Sequence, residues 1–596
     1  MRAAKLNSDK LLFWLVLFVV SLNMVLPGET WFQTKALSQL LVFAGFGALL
    51  VLGARDGLVP HGTLGRTAAL LSLFLLLFVP SMLFSSCTGR SLETLALWLA
   101  YFCLFVLVRR LSLEPQRAEQ AVTVVCLVTV VLLVYGLYQY FTGFGGLAGV
   151  VAADPALSEG QRADMLSRLA SRRIFSTLPL PTTFAELIVI ALPLLLHRAR
   201  TAYGAGRQPA LAGWGAAVLL ALLVLPLTGS YGALPVLAAL GFIALLAGAP
   251  RWSPRRRAVT AATALLCLII VFVVVLQVRG FTPWDVDQSH NPVSQRLLNW
   301  RSAVSIWNEH PLSGAGPGNF GVAYARHRLP GANETVVAHN SWLHLAAEGG
   351  VLPGLSLAFL GLLLGWRTVR RLLSGRAGER GTERALCYTG LALLLYACFE
   401  ITVEFPGIGY PGVFLIALGS RSLFPPPATV PAPPAGGDGA APALSLEAPG
   451  GVVLALILTA AFLFTGSWYR GREHLSRALA QAAEGPPARE LALRSAGAAS
   501  RWNLLDPEPH ALRGALLLSA GTDPETLGEA GAAFRTASAL DPDRAFFHER
   551  ISVVHQGLGQ GLAAFLEADR AWRLYPLQPR YRNRRAELLQ RAGGGS

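Results

Sequence analysis

Charge is scarce in this 596-residue chain. Only 14% of its residues are Asp, Glu, Lys or Arg, against 53% hydrophobic residues and a mean hydropathy of +0.48. A large soluble protein needs more surface charge than that, so the soluble class is excluded and a membrane protein is expected. The length is too great for one compact domain. Cysteine is also sparse: six residues, scattered, with no Cys-x-x-Cys pair. That excludes a zinc ribbon and a disulfide framework. No Gly-Lys-Ser/Thr follows the glycine-rich run at 314–318, so a nucleotide P-loop is absent, and no His-Glu-x-x-His occurs. The first apolar run lacks a small-residue cleavage site after it, so a retained span is expected rather than a removed leader. Negative charge is the scarcer sign, 35 acidic against 50 basic residues, net +15. In a soluble chain this would point to nucleic acid. Here much of the arginine excess sits in short loops between apolar runs, as membrane topology demands, and no nucleic-acid partner is expected.

What the chain has is apolar runs of about 20 residues, the length that crosses a bilayer. They fall near 10–27, 36–54, 66–86, 92–108, 119–141, 179–196, 211–229, 232–248, 258–278, 341–365, 385–403 and 408–424. A Pro/Ala/Gly-rich linker, 425–450, precedes a further run at 451–468 that ends on Trp468 and Tyr469, where interfacial aromatics belong. The expectation is an all-α polytopic membrane protein with 12–13 transmembrane helices. Its membrane domain is 1–424, an additional helix is 451–468, and a helical region occupies 470–592. The closing 593–596 run, GGGS, reads as an appended tail.

With the N-terminus in the cytoplasm, the basic loops all fall on that side. They carry Arg109, Arg110 and Arg117, then Arg198, Arg200 and Arg207, then a cluster from Arg367 to Arg384. The short loops opposite hold very little charge. Two longer segments, 142–178 and 279–340, fall outside and carry several arginines against the trend. An anionic ligand at the outer leaflet is the simplest reason for them.

Residues 500–592 contain a period. Leu505, Leu540 and Leu574 occupy equivalent positions, 35 and 34 residues apart, each followed closely by proline. A 34-residue unit with proline after its second helix is the tetratricopeptide pattern. Such helical hairpins bury their apolar faces only by stacking, so an α-solenoid is expected. It would offer a binding surface to a protein or glycan, or act as a helical cap on the membrane domain.

The densest polar chemistry lies between Val293 and Gly354. Arg296 and Arg301 are five residues apart on an amphipathic helix and so point to different faces. In His310–Phe320, Gly314, Gly316 and Gly318 suit a tight turn with positive φ, stiffened by Pro311 and Pro317; the turn is expected to fold an outer loop back onto the membrane. The stretch AHNSWLHLAAEGG then brings His339, Asn340, Ser341, His344 and Glu348. His339 and His344 diverge on a helix, so no shared metal is expected. A histidine at the outer end of a spanning helix suits general-base work on a hydroxyl. His344 is expected to pack between helices.

This segment resembles the membrane domain of the O-antigen ligase and O-antigen polymerase superfamily, most specifically from Arg296 to Gly350. The Arg-Leu and following Trp of the superfamily are matched by Arg296, Leu297 and Trp300, and its His-Asn pair by His339 and Asn340. RRIFSTLPLPTTFAELIVIALPL (Arg172–Leu194) and LTGSYGALPVLAAL (Leu227–Leu240) extend the likeness. In the second, Tyr231 stands where the superfamily usually has Arg, so Arg172 or Arg173 is the candidate to supply the missing charge. The resemblance implies a GT-C-like fold and a metal-independent, cofactor-free, inverting glycosyltransferase in the bacterial inner membrane. Its donor would be an undecaprenyl-pyrophosphate-linked glycan, met at the periplasmic face together with the repeats. His339 would be the catalytic base, Arg296 the group that neutralises the leaving pyrophosphate, and Arg172, Arg173, Tyr231, Asn340 and Arg301 substrate-binding residues. The acceptor is open between lipid A–core, a growing glycan and a protein hydroxyl. A transporter or flippase for the same lipid would want the same spans and outer arginines, without needing the His-Asn pair.

Overall fold

A computed structural model describes residues 2–56, 65–112, 114–153, 159–248, 292–374, 381–423 and 449–593, with isolated positions between 253 and 266. Every regular element among them is helical. The protein is an all-α, polytopic membrane protein. Nine segments of the described residues are long and apolar enough to cross a bilayer: 8–25, 32–51, 67–84, 88–111, 115–153, 181–204, 208–227, 351–374 and 452–483. The expected span at 258–278 and most of the 425–450 linker lie outside the described residues.

Several expected boundaries move. The span placed at 119–141 continues as α5 (Pro115–Tyr138), a single π-turn (Gln139–Gly143) and α6 (Phe144–Ala153). The outer segment 142–178 is therefore partly helical and includes α7 (Glu159–Ala170). The span placed at 341–365 is two helices, Ser341–Gly349 and Val351–Ser374, broken at Gly350. Gly350 has φ +81, and a Cβ there would lie 2.1 Å from the Leu312 carbonyl oxygen, so only glycine admits the break. The span placed at 385–403 is a shorter helix, Gly381–Tyr396, that at 408–424 is Pro406–Leu423, and that at 232–248 is a 16-residue helix. Between Tyr396 and Pro406 the backbone is irregular, and its residues are buried or half-buried. Non-helical backbone is tolerated at membrane depth only under protein cover.

By contacts the chain forms two compact units. The first comprises residues 1–74, 97–282 and 356–462; the second comprises 75–96, 283–355 and 463–596. In the first, α8 (Pro181–Gly204) is central. It is buried on all sides from Thr183 to Leu192 and packs against α5, α9 (Gln208–Leu227), α10 (Ala233–Gly248), α15 (Gly381–Tyr396) and α16 (Pro406–Leu423). A helix apolar all round belongs in a core. The one acid in that run, Glu186, is hydrogen-bonded by Thr402 with Glu400 and Glu404 nearby. These carboxylates sit inside apolar runs (FAELIVI, CFEITVEF), where an ionisable residue is itself a functional signal in the sequence.

Glu29, in the turn after α1 (Arg2–Val25), accepts a hydrogen bond from the Gly407 backbone N–H at 2.9 Å. Its other oxygen is enclosed without a partner. Loss of solvation raises its pKa from 4.5 to about 7, opposed by the Gly407 N–H and by Lys35. A raised folded-state pKa disfavours the ionised form. The penalty is absent below pH 4.5, grows through the window and is complete above about 7. Glu29→Gln is therefore expected to raise thermal stability at pH 8, by about 1–3 kcal/mol, and to change little at pH 4.5. Melting curves in detergent at the two pH values check this; equal shifts at both would remove the ionisation argument.

In the second unit the C-terminal helices pack each on the next. They are the end of α17 (Pro449–Ala483), α18 (Arg489–Trp502), α19 (Glu508–Leu518), α20 (Pro524–Leu540), α21 (Ala545–Gly557), α22 (Gly561–Leu574) and α23 (Pro579–Gly593). Ala496, Ala530 and Ala564, each 34 residues from the next, are all fully buried. Small residues at one site per unit let neighbouring helices approach closely, which is why the period is visible in sequence. Residues 463–596 group with 75–96 and 283–355.

Candidate active site

Within the second unit, α11 (Pro292–Glu309) carries Arg296. Its buried face is Ser294, Leu298, Asn299, Ser302, Ala303 and Ile306. The polar members of that face hold the loop that follows. Tyr324 donates from its hydroxyl to Asn299 Oδ1 (2.7 Å), and Asn299 donates to Asn333 Oδ1 (3.2 Å). Gln295 closes the same loop from both sides, donating to the Gly331 carbonyl (2.8 Å) and accepting from Asn333 N–H (2.7 Å). Trp300 Nε1 donates to the His339 carbonyl oxygen at 3.2 Å. Trp300 follows Arg296 by one helical turn, so the two share a face. Arg296 is half-buried and Arg301, five residues on, is exposed.

His339 stands immediately before α13 (Ser341–Gly349), a short helix distinct from α14 (Val351–Ser374). The expectation that it caps a spanning helix is corrected accordingly, since Gly350 separates the two. Its backbone is left-handed, φ +53. For a residue other than glycine this conformation costs on the order of 1 kcal/mol or more, and persists where the surroundings impose it, commonly at functional sites. Arg172 (φ +49) and Ser176 (φ +57) are the other such residues among those described. All three lie in the two segments that the sequence marks as polar and outside. Asn340 is the N-cap of α13: its side-chain oxygen accepts from Leu343 N–H at 3.0 Å, which assigns it a structural role at this helix start.

His344 is buried and positions this turn. Its Nδ1 accepts from the Ala338 backbone N–H (3.4 Å), which assigns the ring proton to Nε2, facing Glu348 Oε1 at 3.4 Å. Glu348 Oε1 also accepts from Phe320 N–H (3.1 Å), and the His344 ring packs against Phe320. Gly314, Gly316 and Gly318 all have positive φ, as their spacing suggested. The turn they build docks on the end of α13: Ala315 and Gly316 donate to the carbonyls of Ala347 (2.8 Å) and Glu348 (2.9 Å). At Gly314 a Cβ would lie 2.3 Å from the Glu348 carbonyl, so a side chain there would break the docking.

Arg90, in one of the short loops opposite the basic ones, is an internal clamp. It donates to Asn319 Oδ1 (2.8 Å) and pairs with the fully buried Asp541 (2.6 Å). Asn319 donates in turn to Ser85 Oγ (2.7 Å) and the Pro317 carbonyl (3.0 Å). Removing one partner of a buried pair strands the other. Arg90→Ala is expected to lower stability by about 3–5 kcal/mol, and Arg90→Ala with Asp541→Asn to lower it by less. Thermal unfolding of the two variants tests this, and equal losses would show that Asp541 is not the stranded group.

In the first unit, the 172–176 segment is gripped by its neighbours. Gln139, in the π-turn, accepts from the N–H groups of Phe175 (3.1 Å) and Ser176 (3.0 Å). Arg172 donates to the Tyr140 carbonyl (2.9 Å) and stacks over the Tyr140 ring. Arg173 donates to the carbonyls of Thr228 (3.0 Å) and Gly229 (3.3 Å), just past the end of α9. That is the turn in which Tyr231 stands, so Arg173 rather than Arg172 is brought to it. A cation suits the carbonyls at a helix C-terminus. Among the described residues no cluster of three His, Cys, Asp or Glu side chains has metal-ligand geometry.

The arrangement in the second unit offers a half-exposed imidazole on a constrained turn, coupled through Trp300 to a helix face bearing a guanidinium. Such a pair can take a proton from a hydroxyl and neutralise an anionic leaving group. Residues 216–359 match the family model described as O-antigen ligase. No curated protein matches the chain. The matched stretch contains Tyr231, Arg296, Arg301, His339 and Asn340; Arg172 and Arg173 precede it. The similarity supports, in general terms, a membrane glycosyltransferase of O-antigen ligase or polymerase type with a lipid-linked glycan as donor.

Proposed function

We propose that this protein transfers a glycan from undecaprenyl pyrophosphate to an acceptor hydroxyl at the periplasmic face of the bacterial inner membrane, in the manner of an O-antigen ligase. The observation that carries the reading is His339. It is held in a left-handed turn, its carbonyl is tied to Trp300 one turn from Arg296, and it lies within the stretch similar to O-antigen ligases. His339 takes the acceptor proton as the hydroxyl oxygen attacks the anomeric carbon. The glycosyl–phosphate bond breaks with inversion, and undecaprenyl pyrophosphate leaves with its charge met by Arg296. The pyrophosphate is already a good leaving group, so the reaction asks for no nucleotide, metal or other cofactor. Arg173, at the Tyr231 turn, and Arg172 are proposed to bind anionic parts of the substrate, and Arg301 to serve at the rim. The 34-residue repeats are read as tetratricopeptide units on the periplasmic side that bind an acceptor or a protein partner.

The acceptor class is testable in cells. Deletion of the gene is expected to remove long glycan chains from lipopolysaccharide while lipid-linked polymer accumulates. Gel profiles of lipopolysaccharide and glycoprotein fractions check this. Shortened free polymer would favour a polymerase, and loss from glycoproteins alone would favour a protein O-oligosaccharyltransferase.

A further inference from the structure

The first unit contains a cavity of about 1360 Å³ that the proposed transfer does not use. Its walls are the ends of α4 (Thr88–Leu111), α14 and α16, the starts of α5 and α15, the second half of α8, and α10. Measured along α8, Arg200 lies roughly 30 Å from Pro181, the end near Arg173. The cavity is thus at the far end of this unit, on the side where the basic loops place the cytoplasm.

Its chemistry is two-sided. Five arginines line it, Arg109, Arg200, Arg371, Arg384 and Arg421, with two glutamates. Both acids are already matched: Glu383 by Arg371 (2.7 Å) and Glu119 by Arg198 (3.1 Å). Arg109 and Arg421 donate to neutral oxygens, Ser420 Oγ and the Ser112 carbonyl. Arg200 and Arg384 make no hydrogen bond or ion pair among the described residues. Arg200 and Arg384 therefore bring positive charge to this space without acids of their own. Much of the remaining wall is hydrocarbon: Leu192, Leu196, Leu237 and Leu240. A soluble anion would need the arginines and gain nothing from the leucines. An acyl chain alone would not call for the charge.

We infer that this cavity binds a phosphate-bearing lipid of the surrounding bilayer, its phosphate at Arg200 and Arg384 and its chain along α8 and α10. Basic pockets between helices at the cytoplasmic side are a recurrent lipid-headgroup geometry, and guanidinium forks suit phosphate oxygens. The inference is independent of the transfer chemistry.

The test is native mass spectrometry and thermal unfolding of the full-length protein in neutral detergent. Phosphatidylglycerol, phosphatidylcholine, an isoprenyl monophosphate and inorganic phosphate are titrated separately. Phosphatidylglycerol is expected to remain bound and to stabilise the wild type, with at least a tenfold loss of apparent affinity in the Arg200→Gln/Arg384→Gln variant. Neither arginine has a partner to strand, so the variant should melt like the wild type without lipid. Should it not, Leu240→Trp, which fills the apolar wall, is expected to give the same loss. Undiminished binding in both variants would overturn the site. So would equal stabilisation by phosphatidylcholine, or by inorganic phosphate alone. Tighter binding of the isoprenyl monophosphate than of phosphatidylglycerol would overturn the assignment to a bilayer phospholipid.

Discussion

Replacing His339 is expected to abolish glycan transfer while leaving the protein folded. A positioned general base contributes about 10²–10⁴-fold, so activity should fall by that factor or more. The choice of substitution matters because His339 has φ +53. Alanine adds strain at a left-handed position, whereas asparagine visits that region readily. His339→Asn therefore keeps the turn and the carbonyl that accepts from Trp300, and removes the base. Purified His339→Asn should melt within a degree or two of wild type and show no transfer from a lipid-pyrophosphate donor. Near wild-type transfer in this variant would remove His339 from the mechanism. Movement of the lipid across the bilayer that persists in a variant without transfer would instead favour a transporter. A contrasting result is expected at His344. It is buried, holds the Ala338 N–H and faces Glu348, so His344→Ala should lower stability and activity together.

The second large effect is expected at Arg296. A guanidinium offers a planar fork to two phosphate oxygens, and an ammonium offers a point charge. If the fork stabilises the departing pyrophosphate, Arg296→Lys should be nearly as damaging as Arg296→Ala. Loss of one preorganised donor of developing charge costs about 10²–10³ in rate, so both variants should lose at least that in kcat with a smaller change in KM. Recovery of most activity by lysine, but not by alanine, would show that charge alone suffices. Arg301, exposed on a different face of α11 and proposed to serve only at the rim, should matter less: Arg301→Ala is expected to raise KM modestly and to spare most of kcat. Chelator is expected to leave the activity of all these proteins unchanged. Inhibition by chelator that a divalent ion reverses would contradict the metal-independent mechanism.

Much of this protein is legible in its sequence because the relevant physics is local. A bilayer needs about 20 apolar residues per helix, so hydropathy alone identifies the all-α membrane class and most of its helices. The glycine turn is legible too, since Gly314, Gly316 and Gly318 take positive φ where the spacing calls for it. The 34-residue period survives as Ala496, Ala530 and Ala564, because stacking admits only a small side chain at that place. Local signals failed at helix ends. The run from Ser341 onward reads as one apolar helix, and its break depends on Leu312 crossing close to Gly350. The run ending near Tyr138 reads as a finished span, and its continuation to Ala153 depends on a π-turn that places Gln139 against Phe175 and Ser176.

By itself, then, the sequence determined the helical membrane class, the repeat period, and the residue types gathered between Arg296 and Glu348. Tertiary structure alone decided how these are grouped. Arg90 and Asp541 are 451 residues apart, and no periodicity or propensity links them; only the buried ion pair does. The same holds for the second unit, in which the C-terminal helices group with 75–96 and 283–355. It holds for Arg173, which donates to the carbonyls of Thr228 and Gly229 while Arg172 donates to that of Tyr140. It holds for the left-handed backbone of His339 as well. Nothing in a histidine favours that conformation; it coincides with the hydrogen bond from Trp300, the helix cap of Asn340 and the seat that His344 makes for Ala338. Helix formation is a matter of neighbours within four residues, whereas a site is a matter of contacts across hundreds, and only the folded chain brings those about.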